Sequence, residues 1–190
     1  FIARRDRKIG LFDIHGNTVL PVEYDAINYL YDRWYTLVKD SRIGVFDADT
    51  RKITIPLQYS RITYNDALRD YYHAIKPAER NQPGHRMAIA VHQDAENSTT
   101  RRALLNLATG EALVPFGDYR HITYSDTFEL IALEDENQWQ VQDYSGKIHL
   151  KAHNRDYRFS DLTPFGAIVS GTPWTLRFNP FVDNAPSALG

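Results

Sequence analysis

The 190-residue chain carries 22 basic and 24 acidic residues, for a formal net charge of −2. Without a basic surplus to neutralise phosphates, nucleic acid is not an expected partner. The absence of cysteine excludes disulfides, thiol catalysis and thiolate metal sites, and no apolar run reaches the roughly 18 residues that a membrane span needs.

The first predicted unit, residues 1–30, reads as a hairpin followed by a third strand. "FIARRDRKIGLFD" has an apolar start, a charged middle and an apolar run ending in Asp, which predicts two strands joined by a tight turn. "TVLP" predicts the third strand, and its proline suits a strand end. A tyrosine corner closes the unit. The positions of this unit that recur later in the chain are Gly10, Asp13, Pro21 and Tyr24.

The second unit, residues 31–64, repeats this pattern as "IGVFDADTRKITIPLQYSRI". Its corresponding positions are Gly44, Asp47, Pro56 and Tyr59. A period of about 35 residues indicates a repeat architecture, in which each unit buries its apolar face against a neighbour.

An insert at residues 65–83 interrupts the period. "DALRDYYHAI" fits a short helix capped by Asp66 or, alternatively, a strand, and an exposed loop is expected from there to Arg86. The third unit, residues 84–124, keeps Asn106, Pro115 and Tyr119, and "HQDAENSTTRR" lengthens its hairpin.

The fourth unit, residues 127–162, keeps Trp139, Asp143 and Tyr157, while lysine stands where the proline would be. Residues 163–190 are interpreted as a partial unit that covers the last open strand edge. The expected fold is a single all-β domain of tandem hairpin-plus-strand repeats. It forms either an open, solenoid-like array or a closed propeller- or barrel-like body.

These units resemble the WG-repeat (KWG-type) family of bacterial repeats, which read roughly Trp-Gly-Leu-Ile-Asp, a turn, a short strand, Pro and Tyr-Asp-x-Ile. The stretch "IGLFDIHGNTVLPVEYDAI" follows the pattern, with isoleucine replacing the tryptophan; only Trp139 preserves the name-giving residue. The resemblance implies an all-β repeat scaffold and a binding role, without a defined activity.

The repeated residues are predicted to serve the architecture. The tyrosines are expected to pack between units rather than to form an aromatic ladder for sugars or bases. The aspartates are expected to accept backbone N–H groups in the turns that they open, rather than to bind calcium, because each loop supplies a single carboxylate.

No catalytic residue, metal site or cofactor is predicted, and the protein is expected not to be an enzyme. His149 and His153 are spaced for a helix but lie in a predicted strand, and His85 and His92 have no third ligand. The acidic stretch "LEDENQ" reads as a solvated hairpin tip.

Binding specificity in a repeat array is expected where the units differ. The residues predicted to contact a partner lie in the insert and the lengthened hairpin, and tyrosine and arginine dominate them: Arg69, Tyr71, Tyr72, His73, Arg80, His85, Arg101 and Arg102.

The predicted function is that of a non-enzymatic protein-binding module, such as an inhibitor, immunity or adaptor protein. The alternative is a carbohydrate- or cell-wall-binding module of an envelope protein. Because the chain has no cysteine, an exported or periplasmic location is favoured over a cytoplasmic one.

Overall fold

A computed structural model describes the chain over residues 1–63, 87–94, 98–125 and 129–153, and as backbone over 157–163, 166–171, 175–177 and 187–188. Every regular element in these ranges is a β-strand, which confirms the predicted all-β class. No helix long and apolar enough to cross a membrane occurs in the described ranges. The helix or strand predicted to begin at Asp66 lies outside them.

The described strands form five antiparallel sheets, numbered here 1 to 5 in chain order, and neighbouring strands in each sheet are consecutive among the described strands. Sheet 1 contains β1 (Ile2–Arg5), β2 (Lys8–Phe12) and β3 (Thr18–Tyr24). Sheet 2 contains β4 (Ala26–Tyr31), β5 (Trp34–Lys39), β6 (Arg42–Asp47) and β7 (Lys52–Tyr59). Sheet 3 contains β8 (Arg61–Thr63), β9 (Met87–Gln93), β10 (Thr100–Asn106) and β11 (Ala112–Gly117).

The last two sheets also have four strands each. Sheet 4 contains β12 (His121–Ser125), β13 (Leu130–Glu134), β14 (Gln138–Asp143) and β15 (Ile148–His153). Sheet 5 contains β16 (Tyr157–Thr163), β17 (Gly166–Gly171), β18 (Thr175–Arg177) and β19 (Ser187–Ala188). The tail, predicted to supply a partial unit, therefore contributes three strands to a four-stranded sheet.

Sheets 2 to 5 each contain one strand more than the three predicted per unit. The sequence pattern assigns the segment after each tyrosine corner to the end of a unit, but this segment is the first strand of the next sheet. The chain passes from β3 to β4 through Asp25 alone and from β7 to β8 through Ser60 alone. Because no glycine or proline marks these crossings, they carry no boundary signal that could be recognised from the sequence.

The predicted hairpins are confirmed by the pairing of β1 with β2, β5 with β6 and β13 with β14. The first two turn through Asp6–Arg7 and Asp40–Ser41, all four residues having φ between 50° and 65°. Two consecutive residues with positive φ define a type I′ turn, whose twist matches that of the flanking strands. The charged middle of the sequence pattern is therefore the hairpin turn.

The repeated glycine and proline face each other across a bulge. The prediction that the proline ends the third strand is wrong, since β3 continues past Pro21 to Tyr24 and β7 past Pro56 to Tyr59. In sheet 1, Ile9 pairs with Tyr24 and Leu11 with Leu20, so three residues beginning with Pro21 face the single residue Gly10. A Cβ on Gly10 would lie 2.7 Å from Val22 Cγ2 and 2.9 Å from the Leu20 carbonyl oxygen. Glycine is needed there because the bulged strand occupies the volume of a side chain.

This bulge decreases in size along the chain as the glycine is replaced. Gly44 faces three residues of β7 in the same way, and a Cβ added to it would lie only 2.5 Å from the Ile55 carbonyl oxygen. Ala103 faces two residues, because Arg102 pairs with Gly117 and Leu104 with Val114. Gln140 pairs one-to-one with Lys151. The Gly–Pro pair of the repeat is therefore the sequence signature of this bulge.

The core lies between successive sheets. Leu20 and Tyr24 of sheet 1 pack with Leu37 and Phe46 of sheet 2. The next cluster joins Trp34, Val45 and Ile55 of sheet 2 to Ala90, Ala103 and Leu105 of sheet 3. A third joins Met87 and Leu104 of sheet 3 to Ile122, Tyr124 and Ile131 of sheet 4. Each of these sheets is thus stabilised mainly by burying apolar area against its neighbours.

Candidate functional site

The repeated Asp and Asn side chains cap the turns that they open. Asp13 Oδ1 accepts the backbone N–H groups of His15 and Asn17, each at 2.9 Å. Asn106 Oδ1 accepts the N–H of Ala108 at 2.8 Å. Asp47 and Asp143 accept corresponding N–H groups from Asp49 and Ser145 at 3.0 and 2.9 Å. These bonds are the backbone role expected from the sequence, since they satisfy donors that the turn leaves unpaired.

Asp143 is the most strongly perturbed of these carboxylates. Burial by itself raises the pKa of this carboxyl, but hydrogen bonds from Ser145, His149 and the Lys147 backbone outweigh burial and lower the pKa from 3.8 to about 2. His149 Nε2 lies 2.9 Å from Asp143 Oδ2. Asp143 therefore stays ionised within a hydrogen-bonded turn.

Three of the repeated tyrosines pack between sheets. Tyr24 and Tyr59 are buried in the clusters that join sheets 1 and 2 and sheets 2 and 3, and Tyr119 packs partly buried against the cluster of sheets 3 and 4. Burial raises the pKa of both Tyr24 and Tyr119, with smaller contributions from Glu23 and Asp135 respectively. The side chain of Tyr157 lies outside the described part of the structure.

No three histidine, aspartate or glutamate side chains in the described ranges are grouped to hold a metal ion. His149 and His153 lie on β15, as the sequence predicted. Four residues along a strand span about 13 Å, which separates the two imidazoles too far for a shared ion. Asp135 of the acidic stretch instead accepts the N–H groups of Asn137 and Gln138 at the tip of a hairpin.

Most of the predicted partner contacts fall in the insert. Arg69, Tyr71, Tyr72, His73, Arg80 and His85 lie outside the described residues. Arg101 and Arg102 are described, and as neighbours on β10 they point to opposite faces of sheet 3. The structure therefore does not bring these two arginines into one surface.

Arg102 points towards sheet 4 and serves the packing there. Its Nη1 donates a hydrogen bond to the backbone carbonyl of Tyr119, and the side chain is half-buried. An arginine already held by a carbonyl inside an interface between sheets is poorly placed to meet a partner.

Arg101 lies on the other face, at a cleft of about 260 Å³ between sheets 2 and 3. The cleft is lined by Gln58, Tyr59, His92, Arg101 and Phe116. The rings of Tyr59 and Phe116 stack with their centroids 5.7 Å apart and form its aromatic wall. His92 and Arg101 are a cross-strand pair on β9 and β10, and both are exposed.

The polar side of the cleft is held in place by specific contacts. Arg101 Nη2 donates to the Phe116 carbonyl at 3.0 Å, and its Nε lies 3.9 Å from the exposed Asp118. Gln58 Nε2 donates to the Tyr59 hydroxyl at 2.7 Å. A cationic guanidinium and an imidazole beside stacked rings suit a ligand that combines a carboxylate or phosphate with an apolar or planar group.

The sequence indicates only part of this cleft. Its pattern predicts a binding role for Arg101, an architectural role for Tyr59, and nothing for His92 beyond an incomplete metal site. Phe116 follows Pro115 at the position that Val22 and Leu57 occupy after their prolines. An aromatic residue at an otherwise aliphatic repeat position is the signal that could have pointed to the cleft.

No protein-family model matches the sequence, and no curated protein is significantly similar to it. Among solved structures, one described as the eukaryotic initiation factor is similar, with a TM-score of 0.53 and 13% identity. The match covers 99% of this chain and 50% of the other, so the chain spans half the length of that protein. At this identity the likeness shows a shared fold alone.

A second structure, KlHsv2 with loop 6CD replaced by a Gly-Ser linker, matches with a TM-score of 0.38 and 11% identity. That match covers 97% of this chain and 62% of the other.

Proposed function

We propose that the chain is a non-enzymatic, protein-binding module built from WG-type repeats, and that the cleft around Arg101 is a partner-binding site. The observation that carries the proposal is the pairing of an exposed arginine and histidine with stacked rings at the junction of two sheets. Arginine and tyrosine are the side chains that most often dominate interface energy.

The proposal includes the arrangement of the repeats. We infer that the sheets are successive blades of a propeller-like array, because each is a small antiparallel meander and sheets 1 to 4 share cores with their neighbours. In a solenoid the repeats would instead extend common sheets along the chain. The repeat phase of glycine, aspartate, proline and tyrosine supports the WG-type assignment.

The aromatic cleft is more consistent with a protein partner than with a ladder of sugar sites. A ladder needs one exposed ring per unit, whereas Tyr24 and Tyr59 are 3% and 8% exposed. An acidic side chain beside an apolar one would satisfy both the guanidinium and the Phe116 ring. Carbohydrate binding therefore serves as the alternative against which the proposal is tested.

A random-peptide display library panned against the chain tests this function. We expect enrichment of peptides that carry an acidic residue next to an apolar or aromatic one. Binding of a selected peptide should weaken about tenfold or more in an Arg101→Ala variant, because an interface arginine commonly contributes that much. Arg120→Ala removes a similarly exposed arginine that directly precedes sheet 4 and should leave binding unchanged.

The opposite results would refute the assignment. Peptides that bind the Arg101→Ala and Arg120→Ala variants equally well would place the site elsewhere. No enrichment in the library, together with saccharide binding on a glycan array that Arg101→Ala abolishes, would establish the carbohydrate alternative.

A further inference from the structure

The cleft at Arg101 has a counterpart between sheets 1 and 2, because the repeat places equivalent residues at both junctions. In each sheet, positions are counted along the hairpin from the residue that faces the bulge. The cross-strand pair of His92 with Arg101 then corresponds to the pair of Lys39 with Arg42. His92 therefore takes the position in sheet 3 that Lys39 has in sheet 2.

At the junction of sheets 1 and 2, this lysine is neutralised from within the chain. Lys39 Nζ lies 3.0 Å from Glu23 Oε2, and the hydrogen bond to Glu23 is the main reason that the pKa of Lys39 is raised. Burial raises the pKa of the neighbouring Tyr24 hydroxyl most, and the charge of Glu23 raises it further. The Glu23 carboxylate therefore lies close to both a cation and the hydroxyl of a repeat tyrosine.

The junction of sheets 2 and 3 has no carboxylate at the corresponding position. Gln58 precedes Tyr59 as Glu23 precedes Tyr24, so that a neutral amide stands where the first junction has an acid. Gln58 Nε2 donates to the Tyr59 hydroxyl at 2.7 Å. A phenol that accepts this bond keeps its own proton to donate to a further acceptor. The cleft thus presents hydrogen-bond donors where the first junction supplies an anion.

One carboxylate lies beside the cleft without filling this place. Asp118 Oδ1 is 3.9 Å from Arg101 Nε, and the Asp118 side chain is 88% exposed. Asp118 follows β11, so it belongs to the same sheet as Arg101 rather than to the sheet across the junction. A contact this long and this exposed neutralises the guanidinium only weakly. Arg101 therefore retains charge with which to attract a second acid.

The junction of sheets 3 and 4 lacks the cations instead. Counted in the same way, Asp135 and Gln138 take the positions of His92 and Arg101. A carboxylate brought to that junction would meet the like charge of Asp135. Of these three junctions, the one between sheets 2 and 3 is thus the one that offers positive charge without an acid across the junction.

The apolar side of the cleft also differs from the first junction. Phe116 takes the position that Leu57 has in sheet 2, two residues before the residue that follows the repeat proline by three. Leu57 packs partly buried in the core of sheets 1 and 2, whereas Phe116 stacks on Tyr59 with 18° between the ring planes. A flat aromatic wall beside the donors favours a ligand in which a ring accompanies the carboxylate.

We propose that the cleft binds a carboxylate of the partner in the place that Glu23 fills between sheets 1 and 2, and that His92 makes this binding stronger in acid. The inference rests on the proposed function, because it assigns the chemistry of the same cleft. Arginine keeps its charge throughout the physiological range, whereas histidine ordinarily gains its charge between pH 8 and pH 5. Once the imidazole is protonated, two cations face a carboxylate that is still ionised.

The charged groups around His92 come from the strands on either side of it and from the ends of β9 and β11: Arg101 on β10, Arg61 on β8, Asp94 after β9 and Asp118 after β11. β7 contributes the side chains of Gln58 and Tyr59 to the cleft, and neither type is charged at neutral pH. Two positive and two negative charges cancel, so protonation of the imidazole changes the local net charge from zero to +1.

Binding of 3-phenylpropionate tests the inference, because this molecule carries one carboxylate and one ring. The backbone amide signals of His92, Arg101 and Gly117 in nitrogen-15 NMR spectra of the 190-residue chain report binding in the cleft. We expect the affinity to rise about three- to fivefold from pH 8.0 to pH 5.5, as one exposed ion pair contributes. The uncharged 3-phenylpropionamide should bind more weakly, and equally at the two pH values.

Two substitutions of the histidine separate its charge from its shape. His92→Lys supplies the residue of the first junction, so binding should remain strong and lose its pH dependence. His92→Gln removes the charge, so binding should stay at the weaker level of pH 8.0 throughout. Both variants place a polar side chain at an exposed strand position, where substitutions ordinarily change stability little.

A carboxylate supplied from within the chain should close the cleft to the probe. Gln58→Glu restores the acid of the first junction, so it should weaken binding of 3-phenylpropionate about tenfold or more, because the cations would already be paired. Gln93→Glu is the matched control. It adds the same charge next to His92 but on the opposite face of β9, so it should change binding far less.

The failures of this inference and of the proposed function are distinguishable. Equal binding at pH 8.0 and pH 5.5, or pH dependence that persists in His92→Lys, would overturn the role of His92. No change in the cleft amides at high millimolar 3-phenylpropionate, or binding that Gln58→Glu leaves intact, would overturn the carboxylate place. Selected peptides that bind Arg101→Ala as well as the parent chain would refute the proposed function, even where 3-phenylpropionate behaves as expected.

Discussion

At the scale of single residues, the residue type at each repeated position is explained by the hydrogen bonds that it makes or by the room available for its side chain. Asp13, Asp47 and Asp143 differ in their surroundings but share one task, which is to accept the backbone N–H groups of a turn. Asn106 performs the same task without a charge. Charge is therefore dispensable for the turn itself, and its contribution to stability can be measured separately.

The pH dependence of an Asp143→Asn variant should isolate that contribution. A carboxyl whose pKa falls from 3.8 to about 2 on folding stabilises the protein above pH 4 and loses this effect as the pH falls towards 2. Because asparagine can still accept the turn bonds, we expect a loss of at most about 2 kcal/mol at pH 7 that vanishes near pH 2.

Urea unfolding at several pH values measures this difference. Asp32→Asn, at an exposed turn position, serves as the control for removing one negative charge from the chain. A constant difference between the Asp143 variant and the parent chain from pH 7 to pH 2 would show that the carboxylate charge is not responsible.

At the scale of the strand pair, the bulge opposite glycine is the element that the repeat encodes. Gly44→Ala should lower the free energy of unfolding by about 2 to 3 kcal/mol, because its Cβ would meet the backbone oxygen of Ile55 at 2.5 Å. Gly16→Ala is the matched control. That glycine has φ of 83° and open space around it, so only the conformational cost of about 1 kcal/mol is expected.

Thermal and urea unfolding of both glycine variants test this ranking. An Ala103→Gly variant should lose far less free energy of unfolding than Gly44→Ala. The smaller bulge of sheet 3 already accommodates a methyl group, so this change removes a group that fits and creates no clash. If Gly44→Ala cost no more than Gly16→Ala, the close approach of the two strands would not be the reason for glycine.

The strand pairs also show why sequence reasoning succeeds locally. Turn aspartates and hairpin turns follow from interactions between residues close in sequence, so they could be predicted. The proline was wrongly predicted to end the third strand, because the bulge that it begins lets β3 continue through Pro21 to Tyr24. The crossing at Asp25 could not be predicted, because a one-residue passage between sheets carries no turn signal. The cleft as a whole could not be predicted either, because it depends on how β7 of one sheet meets β9, β10 and β11 of the next.

At the scale of the whole molecule, successive sheets are coupled through side chains that they share. Tyr24 is 3% exposed and packs on Leu37 and Phe46 of sheet 2. In a Tyr24→Ala variant the free energy of unfolding should fall by about 3 to 5 kcal/mol, as expected for removing a large buried ring. Tyr24→Phe keeps the ring and should cost about 1 kcal/mol at most.

Amide hydrogen exchange shows which sheets are destabilised in the Tyr24→Ala variant. In the Tyr24→Ala variant, amides of sheet 1 should exchange faster by a larger factor than those of sheet 4, because repeat arrays lose stability one interface at a time. Equal acceleration in both sheets would indicate that the array unfolds as one cooperative body.

The meander order of the sheets has a consequence for the growing chain during synthesis. Among the described strands, neighbours in a sheet follow one another along the chain, and sheets 2 to 4 each pack on the sheet made just before them. Such short-range connectivity allows a sheet to form soon after its last strand leaves the ribosome. Sheets 1 and 2 can bury Tyr24 and Phe46 between them while the rest of the polypeptide is still being translated.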